Sequence, residues 1–274
     1  MRGLGGANAS LLIGVAILAT IAAIAIAAPI VAPFGPDTID SNAILQPPSI
    51  RHWAGTDEVG RDLLSRIMHG ARPSLLVALG IVSIGATGGV LLGSLSGLQG
   101  GVIDALIMRV VEVAMALPGL VIALALTAAL GPSLINLTLA LGLLGIPFYT
   151  RLARGQTLAL RERPYVLAAR TMGASRRHIL MRHVIPNLLP TIVIFMSLGL
   201  SGAVLAASAF SFIGLGAQPP MAEWGALILA GRGYILNEWW YALFPGLAVI
   251  LTAFGFNLLG DGLRDLLDPK EMQR

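Results

Sequence analysis

Few side chains in this sequence could do chemistry, and their spacing argues against catalysis. GLSG at 199–202 has the Gly-x-Ser-Gly form found around the nucleophile of intramembrane serine proteases. A serine nucleophile needs a base within hydrogen-bond reach. The four histidines, His52, His69, His178 and His183, all fall outside the apolar run that holds Ser201 and outside the other apolar runs. His178 and His183 have no acidic partner close in sequence, and no His-Glu-x-x-His occurs, so zinc is not indicated. There is no cysteine, which removes thiolate metal sites and disulfides. No Gly-x-x-x-x-Gly-Lys-Ser/Thr is present, and the single lysine is Lys270 in the tail. A loop that cradles nucleotide phosphates needs both those glycines and that lysine. The chain is read as neither an enzyme nor a cofactor carrier, with no metal site.

The charge that remains is concentrated in two places. From Arg151 to Leu189 stand Arg151, Arg154, Arg161, Arg163, Arg170, Arg176, Arg177 and Arg182 against one acid, Glu162. Pro164 suits the first position of a helix, and Gly173 suits the left-handed position that closes one. Ser175 can cap a second helix over about 176–184, and Pro186 and Pro190 are expected to stop it. Tyr165, Ala168, Ala169 and Met172 share one face of the first helix, with Arg170 beside them, and the low alanine surface suits a groove in another protein. Binding of anionic lipid headgroups is the alternative. On the other side Asp57, Glu58, Arg61, Asp62 and Arg66 are expected on an amphipathic helix whose apolar side includes Val59, Leu63 and Ile67. That helix could lie at a membrane edge or meet an external protein.

These groups must be positioned by elements that live in lipid. Of 274 residues 56% are hydrophobic and 12% charged, and mean hydropathy is +0.82, whereas a soluble domain has about 25% charged residues. Apolar runs long enough for a bilayer lie at roughly 10–32, 73–97, 110–130, 133–149, 190–213 and 241–260. The fold class is therefore all-α: a polytopic membrane protein of six transmembrane helices, with a loop at 150–189 between the fourth and fifth. Residues 1–72 would form the first helix and the external segment, and 73–274 a five-helix core. Arg2 and the small residues Ala25–Ala28 give the first run some features of a cleaved signal peptide, but its length favours a retained helix. Six crossings put 13 of the 18 Lys/Arg on one side. The excess of positive charge on cytoplasmic loops then places both termini in the cytoplasm. The same clustering explains the pI near 10.1 without nucleic acid. No ionisable residue lies near a span centre, Arg109 and Glu112 being at the mouth of the third, which argues against an ion-coupled carrier.

Packing signals are equally regular. Gly85, Gly89, Gly93 and Gly97 recur every four residues on the second span, and Gly199, Ala203, Ala207 and Ser211 on the fifth. In lipid, helices associate by close approach across small residues, so both stripes read as helix-packing seams. Leu117-Pro118-Gly119 and Pro245-Gly246 should bend the third and sixth spans. Trp224, Trp239, Trp240, Tyr234 and Tyr241 fit an interfacial aromatic belt.

The stretch YVLAARTMGASRRHILMRHVIPNLLP at 165–190 resembles the cytoplasmic loop of bacterial ABC importer permeases, with Ala168, Ala169, Gly173, Ile185 and Pro186 matching and Leu167 where the family has glutamate. GTDEVGRDLLSRIMHGARPSLL at 55–76, FSFIGLGAQPPMAEWGALI at 210–228 and FNLLGDGLRDLLDP at 256–269 are similar to the dipeptide/oligopeptide/nickel permeases, in particular the shorter, second permease of the pair. The resemblance implies a bacterial inner-membrane permease subunit that imports peptides or similar small solutes. It implies as partners a paralogous permease, two ATP-binding-cassette ATPase subunits and an extracytoplasmic substrate-binding protein. ATP and Mg would be bound by those ATPases, and 165–172 would be the coupling helix.

Overall fold

Backbone N–H and C=O groups in lipid must be satisfied within their own segment, and this chain meets that demand with helices. The computed structural model describes residues 4–267; Arg2, Lys270 and Arg274 of the charge census lie outside the described residues. The helices are α1 (Leu4–Val31), α2 (Leu63–Gln99), α3 (Gly101–Ala116), α4 (Gly119–Leu130), α5 (Leu134–Arg161), α6 (Pro164–Thr171), α7 (Arg176–Ile179), α8 (Ile185–Phe212), α9 (Trp224–Gly231) and α10 (Trp240–Leu267). Four buried threonine hydroxyls bond to their own helix: Thr127, Thr150, Thr157 and Thr252 each donate to the carbonyl four residues back, at 2.7–2.8 Å. Among the described residues five helical segments are long and apolar enough to cross a bilayer, and α3 and α4, bent by 89° at their junction, meet the same criterion taken together.

The frame is a close pair, α2 and α5. Gly80 faces Thr138, Gly85 faces Gly145, and Gly97 faces Thr157, so the two helices run parallel. A Cβ on Gly93 would lie 2.9 Å from the Ala153 Cβ, and one on Gly97 2.8 Å from the Thr157 Cβ. From α5, Gly142 receives Ile84 just as closely, at 2.8 Å. Tyr149 fills the next gap, buried against Gly89 and donating its hydroxyl to the Phe195 carbonyl of α8 (3.3 Å). Gly199 of α8 sits against that hydroxyl, and Ala203, Ala207 and Ser211 are buried farther along. α10 runs antiparallel to α8, with Gly260 against Leu198, and α1 antiparallel to α10, with Gly14 against Leu259 and Gly262 against Leu11.

A parallel pair obliges the chain between them to return through the bilayer. Arg154 of α5 clasps Asp104 at the start of α3 (2.7 Å), and Arg151 reaches the Met115 sulfur at its end (3.6 Å). α3 therefore lies across one end of α5 rather than along it. After the bend at Leu117-Pro118-Gly119, α4 makes the crossing, and Asn136 of α5 donates to the Leu130 carbonyl (2.7 Å). The 12 residues of α4 reach about 18 Å at ~1.5 Å per residue, close to the ~22 Å between Asn136 and Arg151 on α5. The expected span at 110–130 is thus a flat helix and a short riser, because Pro118 supplies no backbone N–H. α10, by contrast, runs unbroken through Pro245-Gly246.

Other boundaries also move. α2 begins at Leu63 and passes through Pro73, and α5 continues to Arg161, so the loop is shorter than 150–189. Pro186 and Pro190 do not stop the chain. A π-helical turn over Leu180–Val184 precedes α8, and the Ile185 N–H bonds the Leu180 carbonyl. The wider turn makes room for the Pro186 ring, which would otherwise crowd the carbonyl four residues back. The expected amphipathic helix at 57–67 is also replaced. Gly55 and Gly60 take φ of +78° and +81°, Thr56 and Asp62 pair as an isolated bridge, and Asp62 caps α2 by accepting from the Ser65 N–H at 2.8 Å.

That segment forms a polar cap over the end of the bundle remote from the arginine-rich stretch at 151–182. Asp57 is fully buried and accepts from Arg61 (2.6 Å). Arg66, also buried, donates to the carbonyls of Pro36 (2.9 Å) and Pro220 (3.1 Å), tying three segments together. Glu223 caps α9 through Gly225 and Ala226 and accepts from Ser74 of α2 (3.2 Å). Trp224, Trp240 and Tyr241, expected in a lipid-facing belt, are buried: the Trp224 indole donates to the Ile67 carbonyl (2.9 Å) and the Tyr241 hydroxyl to Glu58. An indole whose N–H finds a partner can be interred whole. Of the five aromatics Trp239 remains half exposed.

Gly93→Val is expected to lower the thermal unfolding midpoint of the purified chain, at a cost of about 1–3 kcal/mol of overpacking. Gly246→Ala, in open space, should leave it unchanged or raise it. Arg66→Met strands the Pro36 and Pro220 carbonyls and breaks a buried charge cluster, for about 3–5 kcal/mol. Faster tryptic cleavage at exposed Arg51 checks that outcome.

Candidate functional site

Opposite the cap, the chain between α5 and α8 forms a compact hairpin. Pro164 opens α6 at its first turn. Its end is closed doubly: the Gly173 N–H bonds the Arg170 carbonyl (3.0 Å) and the Ala174 N–H the Ala169 carbonyl (3.0 Å). That closure requires the left-handed backbone at Gly173, φ +85°, which a side chain disfavours. Ser175 then caps α7 by accepting from the His178 N–H (3.2 Å). The hairpin's geometry therefore follows from residues within it.

The two faces of α6 differ. Val166 (0% exposed) and Ala169 (6%) turn inward, and Val166 joins the hydrophobic core. Met172 (81%), Tyr165 (43%) and Leu167 (40%) form an outward apolar surface around exposed Ala168. Ala169 was expected on the outward face with Ala168, but a helix turn of 100° separates neighbours, and the inward side takes Val166 and Ala169 together. Arg170 is exposed and lines a cleft with Arg161 and Arg176. His178 and His183 do meet, ring centroids 5.8 Å apart, and His183 packs on Tyr165 at 5.9 Å. The cluster fastens α6 to the π-helical turn.

Two contacts that bind the hairpin to the frame were not anticipated. Arg161 donates to the Gly97 carbonyl at the end of α2 (3.1 Å), closing one of the carbonyls a helix end leaves free. Val166 is the main buried plug beneath α6. The pairing of Val166 and Ala169 at i and i+3 carried that signal, but the adjacent alanines invited the wrong face. Gly142 and Gly145 on α5 were likewise missed as the mates of the α2 glycines.

Elsewhere, Ser201 is buried inside α8. His69, expected outside the spans, lies within α2, and its ring bonds the Ser65 carbonyl of the same helix (2.8 Å). Arg109 and Glu112 pair with each other on the flat α3, at 3.7 Å and exposed.

Comparison with known proteins agrees with this architecture. Residues 89–273 match the family model of binding-protein-dependent transport system inner membrane components. Residues 7–48 match the N-terminal transmembrane domain of oligopeptide transport permease C. A probable D,D-dipeptide transport system permease protein of Escherichia coli K12 is 54% identical over 88% of this chain and 81% of its own length. A di/tripeptide transport system permease protein of Pseudomonas aeruginosa is 43% identical over 90% and 83%. A glutathione transport system permease protein of Pectobacterium atrosepticum is 43% identical over 84% and 77%. With its bundle of crossing helices, closed hairpin and matching core, this chain belongs to the family of inner-membrane permease components of binding-protein-dependent transport systems.

Proposed function

We propose that this chain forms half of an ABC importer's translocation path for peptides or peptide-like solutes, with a paralogous permease as the other half. Two ATPase subunits supply the energy by docking on the hairpin, and an external binding protein delivers substrate to the cap. ATP and Mg are bound by the ATPases and not by this chain. The observation that carries the reading is the outward apolar face of α6, Tyr165, Leu167, Ala168 and Met172, on a helix that follows Arg163, carries Arg170 in its last turn and is tied through Arg161 to α2. Exposed apolar side chains on a short helix beyond the membrane ask for a protein partner. The dipeptide and glutathione names of the relatives support the substrate class.

The arginine-rich hairpin faces the cytoplasm, and both termini lie on the same side, as Leu11 packing on Gly262 supports. Leu167, standing where the family has glutamate, makes docking here an apolar contact in place of an ion pair. A partner moves the bundle only by binding its two states unequally. ATP-driven closure of the ATPases supplies that difference, and the hairpin passes it to α5 and α8.

Met172→Asp is expected to lower substrate-stimulated ATPase of the reconstituted complex about tenfold or more, as loss of a central interface anchor does. Gly173→Val strains a left-handed position for about 1–2 kcal/mol and should weaken stimulation in the same direction. Full stimulation in both variants, measured in liposomes with binding protein and substrate, would contradict docking on α6.

A further inference from the structure

A polar cleft of about 490 Å³ opens between the hairpin and the frame. Gln99 and Arg161 with Glu162 stand on the frame side, and Arg170 and Arg176 on the hairpin side. Glu162 is taken up by Arg161 at 2.9 Å, and Arg161 is further engaged with the Gly97 carbonyl. Among the described residues the side chains of Arg170 and Arg176 make no hydrogen bond and no ion pair. Three guanidinium groups therefore share one recess with a single carboxylate, and their mutual repulsion favours a bound anion.

Guanidinium forks match phosphate oxygens in paired hydrogen bonds. Depth points to the source. Along α5, Leu134 and Arg161 are ~40 Å apart at ~1.5 Å per residue, and a bilayer with its headgroups measures about 40–45 Å. Arg161 thus stands at headgroup level. We propose that this cleft binds the phosphate of an anionic phospholipid headgroup, which clasps Arg170 and Arg176 of the hairpin to Arg161 of the frame. A phosphate so held stiffens the hairpin against α5 and makes motion transfer sensitive to lipid charge.

The test uses the full chain in detergent micelles, with phosphatidylglycerol or phosphatidylcholine added and retained lipid measured by native mass spectrometry. The wild type should retain phosphatidylglycerol selectively. Arg170→Gln with Arg176→Gln should lower that retention about fivefold for each arginine removed, and the corresponding lysine pair should keep part of it. Equal unfolding midpoints in phosphatidylcholine exclude misfolding as the cause. Equal retention by wild type and the glutamine pair overturns the proposal. Complete displacement by inorganic phosphate makes the ligand a free anion and overturns the lipid assignment. Expulsion of the lipid when ATPase subunits are added makes the cleft a seat for their acidic side chains, which overturns it too. Retention is first measured without ATPases, so failure of the docking reading would leave this result standing, and the reverse.

Discussion

The close parallel contact of α2 with α5 is the constraint from which the rest of the molecule follows. Lipid offers no hydrophobic drive between helices, so the contact depends on dispersion across small residues. Gly85, Gly89, Gly93 and Gly97 permit it on one side, and Gly142, Gly145 and Ala153 on the other. Because the pair is parallel, the intervening chain must return across the membrane, and the flat α3 with the short α4 is how it does so. Because the pair is tight, Tyr149 can reach from it to the Phe195 carbonyl and seat α8.

Both ends of the frame are then put to use. At the cap end, α2 is fastened through Asp62, Arg66 and Ser74 to segments 33–62 and 213–239. At the hairpin end its last turn receives Arg161, while Arg154 holds Asp104 of α3. A force on α6 therefore meets buried Val166, the end of α5 and the end of α2 in succession, with no flexible loop between. That continuity is what the proposed docking on α6 requires.

How much of this was legible in the sequence depends on range. Span lengths could be read because they follow from bilayer thickness, and the hairpin because Pro164, Gly173 and Ser175 act on their immediate neighbours. The mate of the glycine stripe could not be read, since a seam on one helix does not name its partner. The charges at 57–66 have a helical rhythm, yet Gly55 and Gly60 take positive φ and break it, and those two glycines are the local mark of a turn. Trp224, Trp240 and Tyr241 looked interfacial because their burial depends on carboxylate and carbonyl partners far away in sequence. Pro186 was read as a stop because a π-helical turn, which accommodates its ring, leaves no local mark.

With no cysteine of its own, the chain accepts paired spin labels cleanly. One label at exposed Leu91 on α2 and another at exposed Arg177 on α7 report whether hairpin and frame move together. Pulsed electron resonance on the assembled transporter, with and without bound ATP, gives their separation in each state. An unchanged distance, alongside a changed distance from Arg177 to the proposed second permease subunit, is the expected result. A Leu91–Arg177 distance that shifts with nucleotide would mean the hairpin swings freely on the frame, and would contradict a rigid link between them.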